Sequence, residues 1–196
     1  MAKSKAERQR FRNKRPVGFM NTSKQEDKHN DLNAVGLPID KLWYKVDGTV
    51  IEDLESYLYS YIGNNPDNVI KFLIGTDGMA KPAGHGKTEM KMLTVICLQK
   101  VGKGVHVICR RENTSHNYYV ETATKLNTEI NKTFELAQYL DSIGITFEVH
   151  LDVNPNRDFD SFNVYNTIHG FFESFGYKTE YKPVAPAASY ASDYFL

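Results

Sequence analysis

The stretch "IKFLIGTDGM" (residues 70–79) carries an apolar run into Gly75 and Thr76 and then places a carboxylate, Asp77, where the run stops. Its apolar and β-branched content predicts a buried strand that ends at Asp77. Two readings of that acid compete. Asp77-Gly78 is ordinary turn chemistry, since both residues accept tight backbone geometry; alternatively, a carboxylate at the end of a buried strand is a metal ligand. The choice depends on whether the rest of the chain brings further acids to the same place.

Upstream, "DGTVIEDLESYLYSYI" (47–62) repeats Ile51, Leu54, Leu58 and Ile62 at helical spacing behind a capping signal at Asp47 or Thr49, which predicts an amphipathic helix. Downstream, "GMAKPAGHGKTEM" (78–90) contains Gly86-Lys87-Thr88, but a phosphate loop needs glycine five positions before Gly86 and Lys81 stands there. The segment reads as a Gly/Pro-rich connector, with His85 an inert loop residue. "KMLTVICLQK" (91–100) and "GVHVICRREN" (104–113) then flank a tight turn and predict a hairpin. With Gly102-Lys103 as its loop, Cys97 faces Ile108 and Cys109 points to the other face. No Cys-x-x-Cys pair occurs, so both read as packed, reduced thiols.

A long helical pattern runs from about Asn117 to Ser142 and is closed by Gly144. Tyr119, Ala123, Leu126, Ile130, Ala137 and Leu140 fall on one arc at about 100° per residue. Glu129 lies at the edge of that arc, whereas Glu121 and Glu135 point away from it. A carboxylate aimed at a core is costly without a partner. "GITFEVHLDVN" (144–154) then repeats the opening pattern, an apolar strand that ends in an acid, Asp152. "SFNVYNTIHGFFESFG" (161–176) reads as a helix whose Phe171, Phe172 and Phe175, with Tyr177, belong to the core. "YKTEYKP" (177–183) reads as a short strand, and "APAASYASDYFL" (185–196) as a final helix carrying Asp193.

Charge is unevenly placed along the 196 residues. Seven of the 24 basic residues and one of the 24 acidic residues fall in the first fifteen positions, which leaves 17 bases and 23 acids beyond them. Residues 1–40 read as a basic, disordered arm and residues 41–196 as one folded domain. Such an arm suits contact with phosphate backbones. Neither the start of the sequence nor any later run has the apolar length of a signal peptide or a membrane span, so the expectation is a soluble, cytoplasmic protein without a membrane partner.

Helix, three strands, helix, strand, helix, strand, helix describes an α/β fold: a ribonuclease H-like mixed five-stranded sheet flanked by helices. In that architecture the first and fourth strands are neighbours, so Asp77 and Asp152 end side by side while helices supply Glu129 and Asp193. Four carboxylates gathered in one place call for divalent cations. Around them, His150, Asn154, Ser161, Asn163 and Lys182 are placed to touch a phosphate, although strand histidines and Asn-Pro turns also serve the fold alone.

The chain also resembles the ribonuclease H-like YkuK family from about Trp43 onward. The resemblance rests on "IGTD" (74–77), "LNTEINKTFELA" (126–137), "HLDVNP" (150–155), "GFFESFGY" (170–177) and "KPVAPAASYASD" (182–193). It implies a metal-dependent nuclease that hydrolyses phosphodiester bonds of nucleic acid with two Mg2+ or Mn2+ ions. Asp77 would bridge the ions, Glu129 and Asp152 would complete one site, and Asp193 would hold the other. The alternative is a non-catalytic nucleic-acid-binding protein on the same fold. One departure stands out: relatives usually continue "GTD" with Ser-Gln, where this chain has Gly78 and Met79.

Overall fold

The computed structural model describes residues 42–157 and 162–187. The basic arm, Ser161 and Asp193 lie outside the described residues, as does most of the expected final helix; of Asn163 only the backbone is described. In chain order the elements are β1 (Trp43–Lys45), β2 (Val50–Ile51), α1 (Leu54–Gly63), β3 (Ile70–Pro82), β4 (Thr88–Lys100), β5 (Gly104–His116), α2 (Thr122–Ser142), β6 (Phe147–Leu151), α3 (Phe162–Ser174) and β7 (Lys178–Tyr181).

The strands form one mixed sheet in the order β2-β1-β5-β4-β3-β6-β7. β3, β4 and β5 make an antiparallel meander. β6 then lies parallel to β3, and β7 parallel to β6. Strands β3 to β7 have the order expected from the sequence, with β3 beside β6, but the sheet has seven strands among the described residues rather than five. β1 and β2 extend its far edge through Tyr44↔Cys109, Lys45↔Ile108 and Trp43↔Ile51. Strands of three and two residues are too short to show a period-2 pattern.

That edge also corrects the start of the first helix. Asp47 accepts the Thr49 N–H at 2.9 Å inside the β1–β2 turn, where Gly48 takes φ +85°. The helix cap is Asp53, which accepts from Ser56 N–H at 3.0 Å and from the Ser56 hydroxyl at 2.7 Å. Ile51 is a buried strand residue, and Leu54 and Leu58 form the buried face of α1.

The β4–β5 loop holds three residues, because Lys100 pairs with Gly104. One extra loop residue shifts the register by one, which turns a side chain to the opposite face. Cys97 therefore faces Val107 instead of Ile108, and both cysteines lie in one apolar cluster with Leu73, Leu93 and Val95. Both thiols are buried and free, and burial pushes Cys97 up to about 12.

The connector read at 78–90 is largely strand. β3 and β4 stay paired out to Pro82↔Thr88 and leave only residues 83–87 as the loop. α2 begins at Thr122 rather than near Asn117, since Val120 is buried and its N–H donates to Thr88 Oγ1 at 3.3 Å. It ends as expected, with Gly144 at φ +77° and Ile145 N–H on the Leu140 carbonyl at 2.9 Å.

The main core lies under α1, α2 and α3, with Leu58, Ile74, Ile96, Leu140, Val149 and Phe172 fully enclosed. Phe134 of α2 meets Phe171 and Phe175 at centroid distances of 4.7 and 4.8 Å. The aromatic run of α3 is thus core, as its spacing predicts. Each such ring contributes about 2–3 kcal/mol by burial. Among the described residues, no helix is long and apolar enough to cross a membrane.

Candidate carboxylate site

Asp77 is the hinge of the site, and it does not terminate its strand. It sits within β3, in register with Leu93, and is buried. What stops near it is the neighbouring strand. β6 pairs with β3 through Phe72↔Phe147, Leu73↔Glu148 and Ile74↔Val149. Carried three residues further, that parallel register sets Asp77 against Asp152, one residue past the end of β6. Asp77 thus lies where β3 runs on past the end of β6, and its Oδ1 accepts the Gly78 N–H at 2.7 Å.

α2 brings Glu129 to the same place. Its side chain is nearly inaccessible, as its position on the helical arc predicts, while Glu121 and Glu135 are exposed. The group that joins these acids is Lys125, one turn earlier on α2. Its Nζ lies 2.6 Å from Glu129 Oε1 and 3.5 Å from Asp77 Oδ1. Asp152 adds to the field on both Lys125 and Glu129 and pairs with Lys182, which follows β7. Sequence reasoning missed Lys125, although its (i, i+4) spacing from Glu129 is a usable signal.

The electrostatics follow from this packing. Burial pushes the Glu129 carboxyl up to about 8, with Lys125 opposing the rise and Asp77 and Asp152 adding to it. Burial pulls the Lys125 ammonium down, but Glu129, Asp77 and Asp152 outweigh it and hold the group above its ordinary value. Among the described residues, no three Asp, Glu, His or Cys side chains are close enough together to hold one metal ion as they stand.

A pH dependence follows from Glu129. Its folded value near 8 lies above the ordinary 4.5, so between these pH values the folded state holds a proton that the unfolded state has released. Metal-free stability should therefore decline as pH rises from about 4.5 to about 8 and then level off. Urea denaturation at pH 5, 6.5 and 8.5 measures the decline, and Glu129→Gln should flatten it. An equal decline in that variant would assign it to another group.

Gly78 has a steric reason. A Cβ there would come 2.3 Å from Met92 Sδ and 3.1 Å from Glu129 Oε1. Met92, its cross-strand partner, occupies the room that a side chain after "GTD" needs. Gly78→Ala should cost about 1–2 kcal/mol by overpacking. The cost should fall close to zero in a Met92→Ala background, which a double-mutant cycle in urea reads directly.

The other sequence candidates are placed as follows. His150 is buried on β6, burial lowers its pKa, and its Nδ1 accepts the Ala187 N–H at 3.2 Å. It ties the segment after β7 to the sheet, six residues before Asp193 in the sequence. Asn154 Oδ1 accepts the Asn156 N–H at 2.9 Å in an Asx turn just past Asp152. Lys182 is at the site through its contact with Asp152.

A second charged group went unread in the sequence. Arg110 and Glu112 of β5 are both buried, with Arg110 Nε 3.9 Å from Glu112 Oε1. Lys132 of α2 pairs with Glu112, and the Arg110 guanidinium lies 5.6 Å from the Trp43 ring centroid. Alternation from buried Ile108 gives the signal, since residues 108, 110 and 112 share a face.

A family model described as Ribonuclease H-like matches residues 50–195. The chain belongs to this ribonuclease H-like family, also called the YkuK family. The match spans every element from β2 to β7, and with it the sheet in which β3 and β6 lie side by side. Comparisons with curated proteins and with solved structures returned no match. The family assigns the chain a nucleic-acid-related fold.

Proposed function

We propose that the protein is a metal-dependent nuclease that hydrolyses phosphodiester bonds of nucleic acid. One observation carries the reading: carboxylates from β3 and α2 meet on one half-buried ammonium, Lys125, with Asp152 at the end of β6 adding to the field there. The donors fit a hard divalent cation. They are all carboxylate oxygens, the chemistry that Mg2+ and Mn2+ select. Lys125 already places one positive charge between Asp77 and Glu129, which supports a cation-binding role for the pair.

Asp77, Glu129 and Asp152 would hold one ion, and Asp193 would serve the second with Asp77. Bound there, such ions acidify water and neutralise charge on the oxygens of a phosphodiester. The chain's own residues orient and exclude. β3 fixes Asp77 through the Gly78 N–H, α2 fixes Glu129 against Met92 and Gly78, and burial keeps bulk water from the Glu129 side. Deprotonation of Glu129 accompanies use of the site, because burial holds its carboxyl well above the ordinary carboxylate range. Lys182 stands beside Asp152, partly exposed, where it can meet a phosphate oxygen.

The test is cleavage of single-stranded, duplex and hybrid oligonucleotides with Mn2+, with Mg2+ and with chelator. Metal-dependent cutting of one class supports the reading. The second reading, a nucleic-acid-binding protein that does not cut, is favoured by the pairing of Lys125 and Lys182 with the site's acids. It predicts binding without cutting that weakens steeply with salt and is lost on deletion of residues 1–15.

A further inference from the structure

We propose that Lys125 is an internal counter-ion which the divalent cation must displace, so that this lysine sets the metal affinity of the site. The inference rests on the nuclease reading and deepens it. Lys125 Nζ stands 2.6 Å from Glu129 Oε1 and 3.5 Å from Asp77 Oδ1, between two of the proposed ligands. An ammonium and a divalent ion cannot share those oxygens, since like charges at contact distance repel strongly.

Lys125 is also built to leave. Its side chain is 21 % exposed, whereas that of Glu129 is 4 % exposed. The ammonium rides on a flexible four-carbon stem that reaches water without moving α2. Glu129 has no such freedom, packed as it is beside Gly78 with its main-chain carbonyl accepting the Thr133 hydroxyl at 2.9 Å. Asp77 and Glu129 are therefore kept in place by the fold beside a removable cation. A site that spends most of its time in the lysine-occupied state binds metal more weakly by the fraction that is open.

The measurement is Mn2+ affinity by calorimetry on the full-length protein, comparing wild type with Lys125→Met, Lys125→Gln and Lys125→Arg. Met and Gln remove the competing charge at similar volume, and both should bind Mn2+ at least about tenfold more tightly than wild type. Arg keeps the charge and should gain nothing. A lysine that only supports the fold would give the opposite, unchanged or weaker binding in all three. Unchanged or weaker Mn2+ binding by both Met and Gln variants, with wild type binding normally, overturns this proposal and leaves the nuclease reading standing. No Mn2+ binding by wild type or any variant overturns both.

Discussion

Asp77→Asn should remove metal-dependent cleavage, with a loss of about a thousandfold or more, equivalent to ~4 kcal/mol of transition-state stabilisation. The substitution is nearly isosteric and keeps an oxygen for the Gly78 N–H, so the β3–β4 pairing around it should survive. What it removes is the charge at the point where β3, α2 and the end of β6 meet. The unfolding transition in urea should stay within about 1 kcal/mol of wild type, or rise, because a buried repulsion is relieved. Full activity in the variant would show that the acids are structural.

The second large effect concerns stability. Glu112→Leu should destabilise the fold by about 3–5 kcal/mol, since it leaves the Arg110 and Lys132 charges without the carboxylate that lies between them. For a chain of this size that is a fall in Tm of roughly 10 °C. Arg110 is almost wholly enclosed against Trp43, and burial already lowers its pKa. The comparison that isolates the mechanism is Arg110→Met with Glu112→Leu. Replacing both partners with apolar groups should recover most of the loss. If the double variant is no more stable than Glu112→Leu alone, the cost lies in packing instead of charge.

The sequence carried the site further than it carried the sheet. Asp77 and Asp152 were legible because each follows an apolar run, and Glu129 because helical rotation separates it from Glu121 and Glu135. The pairing of β3 with β6 followed once the element order was read as a ribonuclease H-like sheet. The edge strands β1 and β2 were not legible, since a turn at Asp47-Gly48 looks locally like a helix cap. The length of β3 and β4 was hidden for a related reason: past Asp77 the hairpin is held by main-chain pairing, and Lys81, Glu89 and Lys91 carry no apolar signal. The cysteine register failed on one loop residue. Lys125 went unread because a lysine on a helix looks like solvent-facing charge until the fold sets it half-buried against Glu129 and Asp77.

If Asp77 belongs to a divalent-metal site, Mn2+ titration by calorimetry should separate wild type from Asp77→Asn. Wild type should bind saturably, and binding should be lost or weakened at least about tenfold in the variant. Equal binding by the two proteins, or none by wild type with nucleic acid present, would contradict it and return Asp77 to a residue that serves only the strand.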